Sequence, residues 1–373
     1  MTDTTARKIT VAVLFGGRSG EHEISLMSAR SVLSVLDPAR YEILQVGITH
    51  QGAWLYGENA LDALEKGDTS SLRPVILSAD PTRPGLFVVN GNILEKLVEV
   101  DVYLPVLHGT YGEDGTLQGL FEMADVAYVG AGVLGSSVGM DKALFKDVMR
   151  ANGIPVVEYV TVLRDEIHNQ MGEVVARAEA LAAYPLFVKP ANLGSSVGIT
   201  KCRSRSDLVE GLFEAAQYDR RILIERGVSS PREIEVSVLG NDDPQVSVAG
   251  EIVPGADFYS YEAKYVLDSS ELLIPAPLSA EQAETIRSMA ARAYRACDCF
   301  GMARADFLLE PVSGAIYLNE INTIPGFTKI SMYPKLWQES GLAYHSLINR
   351  LVELAFERKA QRDQTVREFR RQS

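Results

Sequence analysis

The sequence predicts a multidomain protein of mixed α/β and α+β class with a parallel-sheet unit at its N-terminus, and three observations carry that prediction. The chain has 373 residues, against a typical domain of ~150, so two or three folded units are expected. Its composition, 46% hydrophobic and 23% charged, allows each unit a buried core and excludes disordered, collagen-like and fibrous classes. Apolar runs of strand length alternate with segments of helical periodicity from the first residues onward.

In chain order, Ile9–Phe15 is a β-rich apolar run stopped by Gly16-Gly17, with a helical pattern opening near Glu21. That sequence of strand, glycine turn and helix opens an α/β unit on a buried parallel strand. Tyr41–Thr49 and Val102–Leu107 read as further strands, and the alternation continues to about Met140. A helix then runs from Asp141 to Ala151, where Asn152-Gly153-Ile154-Pro155 stops it. Strand Val156–Val160, a helix over 172–182 and strand Leu186–Lys189 follow. The glycine-serine loop Asn192–Gly198 joins that last strand to Ile199–Cys202 as a hairpin whose amides can face a ligand. Helix Ser206–Gln217 and strand Arg221–Glu225 complete a compact α+β unit. Strands Glu233–Leu239 and Val246–Pro254, a polar aromatic loop Gly255–Ser270, helix Ala280–Ala296, and strands Ala303–Glu310 and Ala315–Asn319 form the last part. The tail from Glu357 carries six Lys/Arg and three Asp/Glu and reads as a charged helix at a solvated end.

The charge balance is 36 basic against 49 acidic residues, a net of −13, which disfavours nucleic-acid and anionic-membrane partners. It leaves open a locally basic pocket for a small anion. Three cysteines are no disulfide framework and fit a reducing compartment. Cys297-Asp298-Cys299 lacks the second pair of a zinc site, so both thiols are expected as core residues at a helix end. Met1–Thr10 has no apolar signal core, and no run approaches the ~18 apolar residues of a membrane helix. A soluble, cytoplasmic protein is expected.

The strongest chemical signal lies late. Asp306 and Arg304 are two apart on one strand and share a face, and Glu320 and Asn322 are two apart on the next. Across a hairpin these oxygens converge with no His or Cys nearby, which suits a hard cation such as Mg²⁺ held with phosphate oxygens. Arg304 beside the acids suits a polyanion bridged by metal. Lys189 before the Gly194–Gly198 loop resembles a phosphate cradle, although the P-loop spacing is absent, and Gly16–Gly20 lacks the dinucleotide pattern. His108–Gly115 follows strand Val102–Leu107, where open α/β sheets bind ligands. His108 can equally be a structural hydrogen-bonder. Tyr259–Tyr265 lies in a long loop of the kind that forms lids.

Taken in order, GGRSGEHEIS, HGTYGEDG, MDK, FVKPANLGSSVGI, REIEV, YEAKY, RADF and NEINTIPGFT resemble the ATP-grasp superfamily, and within it the D-alanine–D-alanine ligase family, over almost the whole chain. The resemblance implies a three-domain ATP-grasp architecture: a Rossmann-like domain over 1–140, a central subdomain over 141–232, and a catalytic domain over 233–373 with its lid at 255–270. It implies that Lys142 and Lys189 meet the α- and β-phosphates, that Ser195 and Ser196 lie in the loop over the phosphates, and that Lys264 reaches the γ-phosphate. Glu225 to Val228 resembles the adenine-side hinge, and Glu233 the acid that holds the ribose. Asp306, Glu320 and Asn322 match ligands of two Mg²⁺ (or Mn²⁺) ions, in agreement with the reading from the residues alone.

On the substrate side, Glu21 resembles the acid that binds the first D-alanine's ammonium, linked by hydrogen bonds to Ser195 and Tyr265. Arg304 and the Gly326 amide resemble the oxyanion site. Ser331 and Met332 match the pocket for the second carboxylate, and His108 the loop near the first substrate. The implied reaction is ATP-dependent dipeptide formation through an acyl phosphate, for peptidoglycan synthesis, and dimers are common in the family. Family members that make D-alanyl-D-lactate carry His where this chain has Tyr265. A cationic imidazole repels an incoming ammonium and a phenol does not, so Tyr265 favours the amine acceptor. Three rivals stand beside this reading. A ligase for other acceptors differs in lid and substrate panel, a regulator without turnover need not keep transition-state groups, and a periplasmic-type binder would carry a signal peptide.

Overall fold

The computed structural model describes residues 7–194, 197–253 and 271–367. The apolar N-terminal run forms β1 (Ile9–Gly16), buried from Thr10 onward. Val11, Val13 and Phe15 enter one core, and Ala12 and Leu14 enter the opposite one, as the two-residue period of a strand covered on both faces requires. β1 pairs in parallel with β2 (Tyr41–Ile48) and β7 (Val102–Pro105). The sheet continues as β3 (Trp54–Tyr56), β4 (Arg73–Leu77), β5 (Leu86–Asn90) and β6 (Ile93–Val98), in the order β6-β5-β4-β3-β2-β1-β7. The parallel character expected of this unit is therefore confined to β2-β1-β7. β3 to β6 pair antiparallel. The two-residue link between β5 and β6 makes only a hairpin. Helices α1 (His22–Leu33) and α2 (Ala60–Lys66) cover one face, and α3 (Thr116–Met123) the other. α4 (Val133–Met140) leads out of the unit.

The second sheet follows α5 (Lys142–Ala151), which starts where Asp141 Oδ1 accepts the Leu144 amide at 2.9 Å. Its strands are β8 (Tyr159–Leu163), β9 (Leu186–Pro190), β10 (Thr200–Cys202) and β11 (Arg221–Arg226), in the order β10-β9-β11-β8. Helices α6 (Arg164–Asn169), α7 (Met171–Leu181) and α8 (Arg205–Tyr218) accompany it. The expected strand Val156–Val160 is displaced to β8. Just ahead of it, the Pro155 carbonyl accepts the Leu318 amide at 2.9 Å. β9 and β10 form the expected hairpin.

The third sheet has β12 (Arg232–Gly240), β13 (Gln245–Val253), β14 (Glu271–Leu273), β15 (Gly301–Leu309) and β16 (Ile316–Asn322), all antiparallel, ordered β14-β13-β12-β15-β16. α9 (Ala280–Ala296) opens with a reciprocal Ser279–Gln282 capping box. Cys297, at its C-terminal end, and Cys299 are both buried in the core, as expected. α10 (Met332–Glu339) and α11 (Tyr344–Asp363) close the described chain.

The tail expectation needs correction. The charged residues from Glu357 to Asp363 belong to the long helix α11, whose Leu347, Ile348, Leu351 and Val352 share a core with Val11 and Val102 of the first sheet. Arg358 and Arg362 contact the two oxygens of Glu122 at 2.9 and 2.7 Å, and Arg362 reaches Asp125 at 3.0 Å. The Arg358 guanidinium lies 4.5 Å from the Tyr128 ring centre. Arg358 and Arg362 dock the helix onto α3 and the loop after it, whereas Glu357, Asp363 and residues 364–367 are exposed as expected.

Candidate active site

The second and third sheets, with helix and loop residues of the first unit such as Glu21, Ile24 and His108, line one cavity of about 540 Å³. Among the predicted residues, Glu21, His108, Lys142, Lys189, Glu225, Val228, Glu233, Arg304, Asp306, Glu320, Asn322 and Gly326 line it. Ser331 and Met332 do not. They lie behind Gly326, where an added Cβ would sit 2.8 Å from Ser331 Oγ. The Met332 side chain is buried against Gly250, so what Met332 offers is its backbone amide at the first turn of α10. Ser195, Ser196, Lys264 and Tyr265 lie outside the described residues.

The oxygen cluster follows from register. On β15, Arg304 pairs with Asn322 of β16 and Asp306 with Glu320; on the other side, Asp306 faces Glu235 of β12. Three carboxylates thus stand on adjacent strands. Arg304 donates Nε to Asp306 Oδ1 at 2.7 Å and a terminal nitrogen to Oδ2 at 2.6 Å, and its Nε lies 3.0 Å from Glu235 Oε2. Burial opposes the guanidinium charge, and Asp306 and Glu235 more than restore it. Asn322 donates Nδ2 to Asp306 Oδ2 at 3.0 Å. The donors offered by Asp306, Glu320 and Asn322 are all oxygen, with no imidazole or thiolate among them, which fits a hard divalent cation.

At the other end, α5 and the second sheet supply cations. Lys142 donates Nζ to the Leu193 carbonyl at 2.6 Å, beside the glycine loop. Lys189 Nζ is 2.7 Å from Glu225 Oε2, and Lys146 Nζ is 3.0 Å from Oε1. Burial pushes the Glu225 carboxyl up, but the two lysines outweigh it and hold it down to about 2. Phe187, Val157, Val228 and Leu308 give this end an apolar lining.

Glu21, at the N-terminal cap position of α1, is almost buried. Its carboxylate is enclosed by two glycines: a Cβ at Gly109 or Gly194 would lie 2.5 or 2.7 Å from Oε2. Gly109 also has φ 72°, which a side chain resists. Behind it, His108 Nδ1 meets the Ile324 carbonyl at 3.1 Å, and Nε2 meets Ser28 Oγ at 3.0 Å. A carbonyl only accepts, so Nδ1 carries the proton and Ser28 donates to Nε2. Burial holds the ring below its ordinary pKa, Glu21 raising it and Arg304 lowering it. His108 thus has both ring nitrogens engaged while lining the cavity beside Glu21.

Sequence reasoning missed three residues here. Glu113 sits in a quoted motif without a role, yet its carboxylate accepts the Gly109 amide at 2.6 Å and the Ile324 amide at 3.3 Å. Burial and then Glu21 push its carboxyl up to about 8. Glu235 is two residues from Glu233 and shares its face, a spacing that could have found it. Lys146 is four after Lys142 on one helix, an equally readable signal.

Comparisons with known proteins agree with this geometry. Residues 10–131 match the family model described as D-ala D-ala ligase N-terminus, and residues 148–353 match D-ala D-ala ligase C-terminus. The D-alanine–D-alanine ligase of Heliobacterium modesticaldum is 50% identical over 361 residues, covering 97% of this chain and 98% of that one. The corresponding protein of Chloroherpeton thalassium is 49% identical over 366 residues, covering 95% and 98%. Among solved structures, the D-alanine-D-alanine ligase from Coxiella burnetii is similar with TM-score 0.80 at 36% identity, covering 96% of this chain and 97% of that one. The VanG D-Ala:D-Ser ligase from Enterococcus faecalis gives 0.83 at 35%, covering 94% and 100%.

Proposed function

Since this chain belongs to the D-alanine–D-alanine ligase family, we propose that it joins two D-alanine molecules into D-alanyl-D-alanine, with ATP converted to ADP and phosphate, as a step in making peptidoglycan precursors. One observation carries the reading. A single cavity gathers phosphate-type lysines, an all-oxygen cation cluster, a buried Arg beside a glycine amide, and an enclosed carboxylate suited to an ammonium.

The chemistry follows from that arrangement. Lys142 and Lys189 neutralise the nucleotide's phosphates at the apolar end, where Glu225, Val228 and Glu233 hold adenosine. Asp306, Glu320 and Asn322 would hold two Mg²⁺ ions, which supply charge neutralisation during phosphoryl transfer. Glu21 binds the first D-alanine's ammonium and turns its carboxylate towards the γ-phosphate. Attack there forms an acyl phosphate and ADP. The second D-alanine's deprotonated amine then attacks the acyl carbon, and phosphate leaves. Arg304 and the Gly326 amide face the oxyanion of that tetrahedral intermediate, preorganised by the Asp306 and Glu235 contacts. First-turn amides of α10, which opens at Ser331, suit the second carboxylate. His108 and Glu113 hold the loops around Glu21. An acyl phosphate hydrolyses when wet, which gives the 255–270 loop, with Lys264 and Tyr265, a physical reason to cover the site together with Ser195 and Ser196.

We also assign the acceptor as an amine on the strength of Tyr265, and the compartment as cytoplasmic, since the three cysteines are free thiols. Mass analysis of products from D-alanine, ATP and Mg²⁺ tests the reading. D-alanyl-D-alanine in a one-to-one ratio with ADP supports it, and ADP without dipeptide contradicts it.

A further inference from the structure

Lys146 is 1% exposed, is not among the described residues lining the cavity, and meets the site through Glu225, with its ammonium 5.6 Å from the Tyr159 ring centre. Desolvating an ammonium costs several kcal/mol, and a methionine would fill the same space without that cost. Packing alone gives no reason for a lysine here. Glu225 already has one cation, since Lys189 contacts its other oxygen at 2.7 Å.

The two lysines differ in what they face. Lys189 lines the cavity and Lys146 does not. When nucleotide phosphates draw the Lys189 ammonium towards them, Glu225 Oε2 loses its partner and gains a free lone pair on the cavity side. Lys146, buried behind Glu225 and outside the described lining of that cavity, stays on Oε1. An ionised carboxylate accepts hydrogen bonds and donates none. It therefore welcomes a base bearing an exocyclic amine and repels one bearing a carbonyl at that position.

We propose that Lys146 is a positioning residue for nucleotide selection: the permanent counter-ion of Glu225, keeping it an acceptor-only group for the amine of adenine while Lys189 serves the phosphates. This rests on the ATP reading above. The test is kcat and KM for ATP and for ITP, whose base carries a carbonyl in place of the amine, in wild type, Lys146→Met, Glu225→Gln and the double variant, at saturating D-alanine. Lys146→Met is expected to lose about 10- to 100-fold in kcat/KM for ATP, the range of one hydrogen bond to a charged group. The loss falls in KM rather than kcat, and the ATP-over-ITP preference falls with it. Because Lys146 acts only through Glu225, the double variant should keep the preference of Glu225→Gln alone. The double variant removes both members of the Lys146–Glu225 pair and serves where Lys146→Met does not fold. Equal losses for ATP and ITP in Lys146→Met, or a further loss of preference in the double variant, overturn the proposal. Wild-type protein without D-alanine-dependent ADP formation refutes the ligase reading instead, so the two failures are distinguishable.

Discussion

Replacing Arg304 by methionine separates catalysis from nucleotide binding. In the native protein its guanidinium is the cation between Asp306 and Glu235, at 2.6 to 3.0 Å. Glu235, Asp306 and Glu320 lie directly opposite one another on adjacent strands. Without Arg304, three carboxylates face each other in a partly dry site. Removing one partner of a buried pair costs about 3–5 kcal/mol, and urea unfolding without divalent metal should show a loss of that size. The loss should shrink as pH falls and the carboxylates take up protons. Losing an oxyanion donor lowers turnover by roughly 10²- to 10³-fold, read by phosphate release. ATP affinity by calorimetry should change far less, since Lys142, Lys189 and Glu225 stand at the other end of the cavity. Parallel loss of ATP affinity and turnover would refute the reasoning, as would an unfolding curve unmoved from wild type.

Further expectations concern the surrounding residues. Glu113 is raised from 4.5 to about 8, so between those values the native state binds more protons than the unfolded chain. Its contribution to stability is therefore complete below pH 4.5 and is lost as pH rises towards 8. Glu113→Gln should flatten that slope in unfolding measured across pH, and an unaltered slope would contradict the assignment. Gly194→Ala places a Cβ 2.7 Å from Glu21 Oε2, and displacing Glu21 should raise KM for D-alanine about 10- to 100-fold while KM for ATP holds; a shift in the ATP value instead would count against it. Glu122→Ala removes the partner of Arg358 and Arg362 and should cost roughly 1–3 kcal/mol with turnover per folded molecule intact. Tyr265→His should weaken amine use relative to D-lactate at neutral pH, and an unchanged preference would remove Tyr265 from the acceptor argument.

What could be read in advance had a local cause. Asp306, Arg304, Glu320 and Asn322 obey the two-residue period of a strand, so their shared faces follow from spacing alone, and β15 and β16 place them as expected. β1 was legible from its continuous apolar run. Features set by distant partners were not. Glu113 matters because its loop meets Ile324, far along the chain, and α11 is buried because the first sheet covers it. Nothing in the charges after Glu357 reveals that Glu122 waits for them. Likewise, the segment after Pro155 has strand composition, but pairing with β11 begins only at Tyr159, and the Pro155 carbonyl ahead of it goes to Leu318, far along the chain. The short strands β3 to β6, three to six residues long and partly exposed, escaped notice because so few residues carry little pattern.

The central claim is tested most directly by phosphate release from ATP with Mg²⁺ and D-alanine, with L-alanine, D-serine and D-lactate measured alongside. Release dependent on D-alanine, and weak with the other three, is the predicted result. ATP turnover that ignores D-alanine, or that L-alanine supports equally, would contradict it.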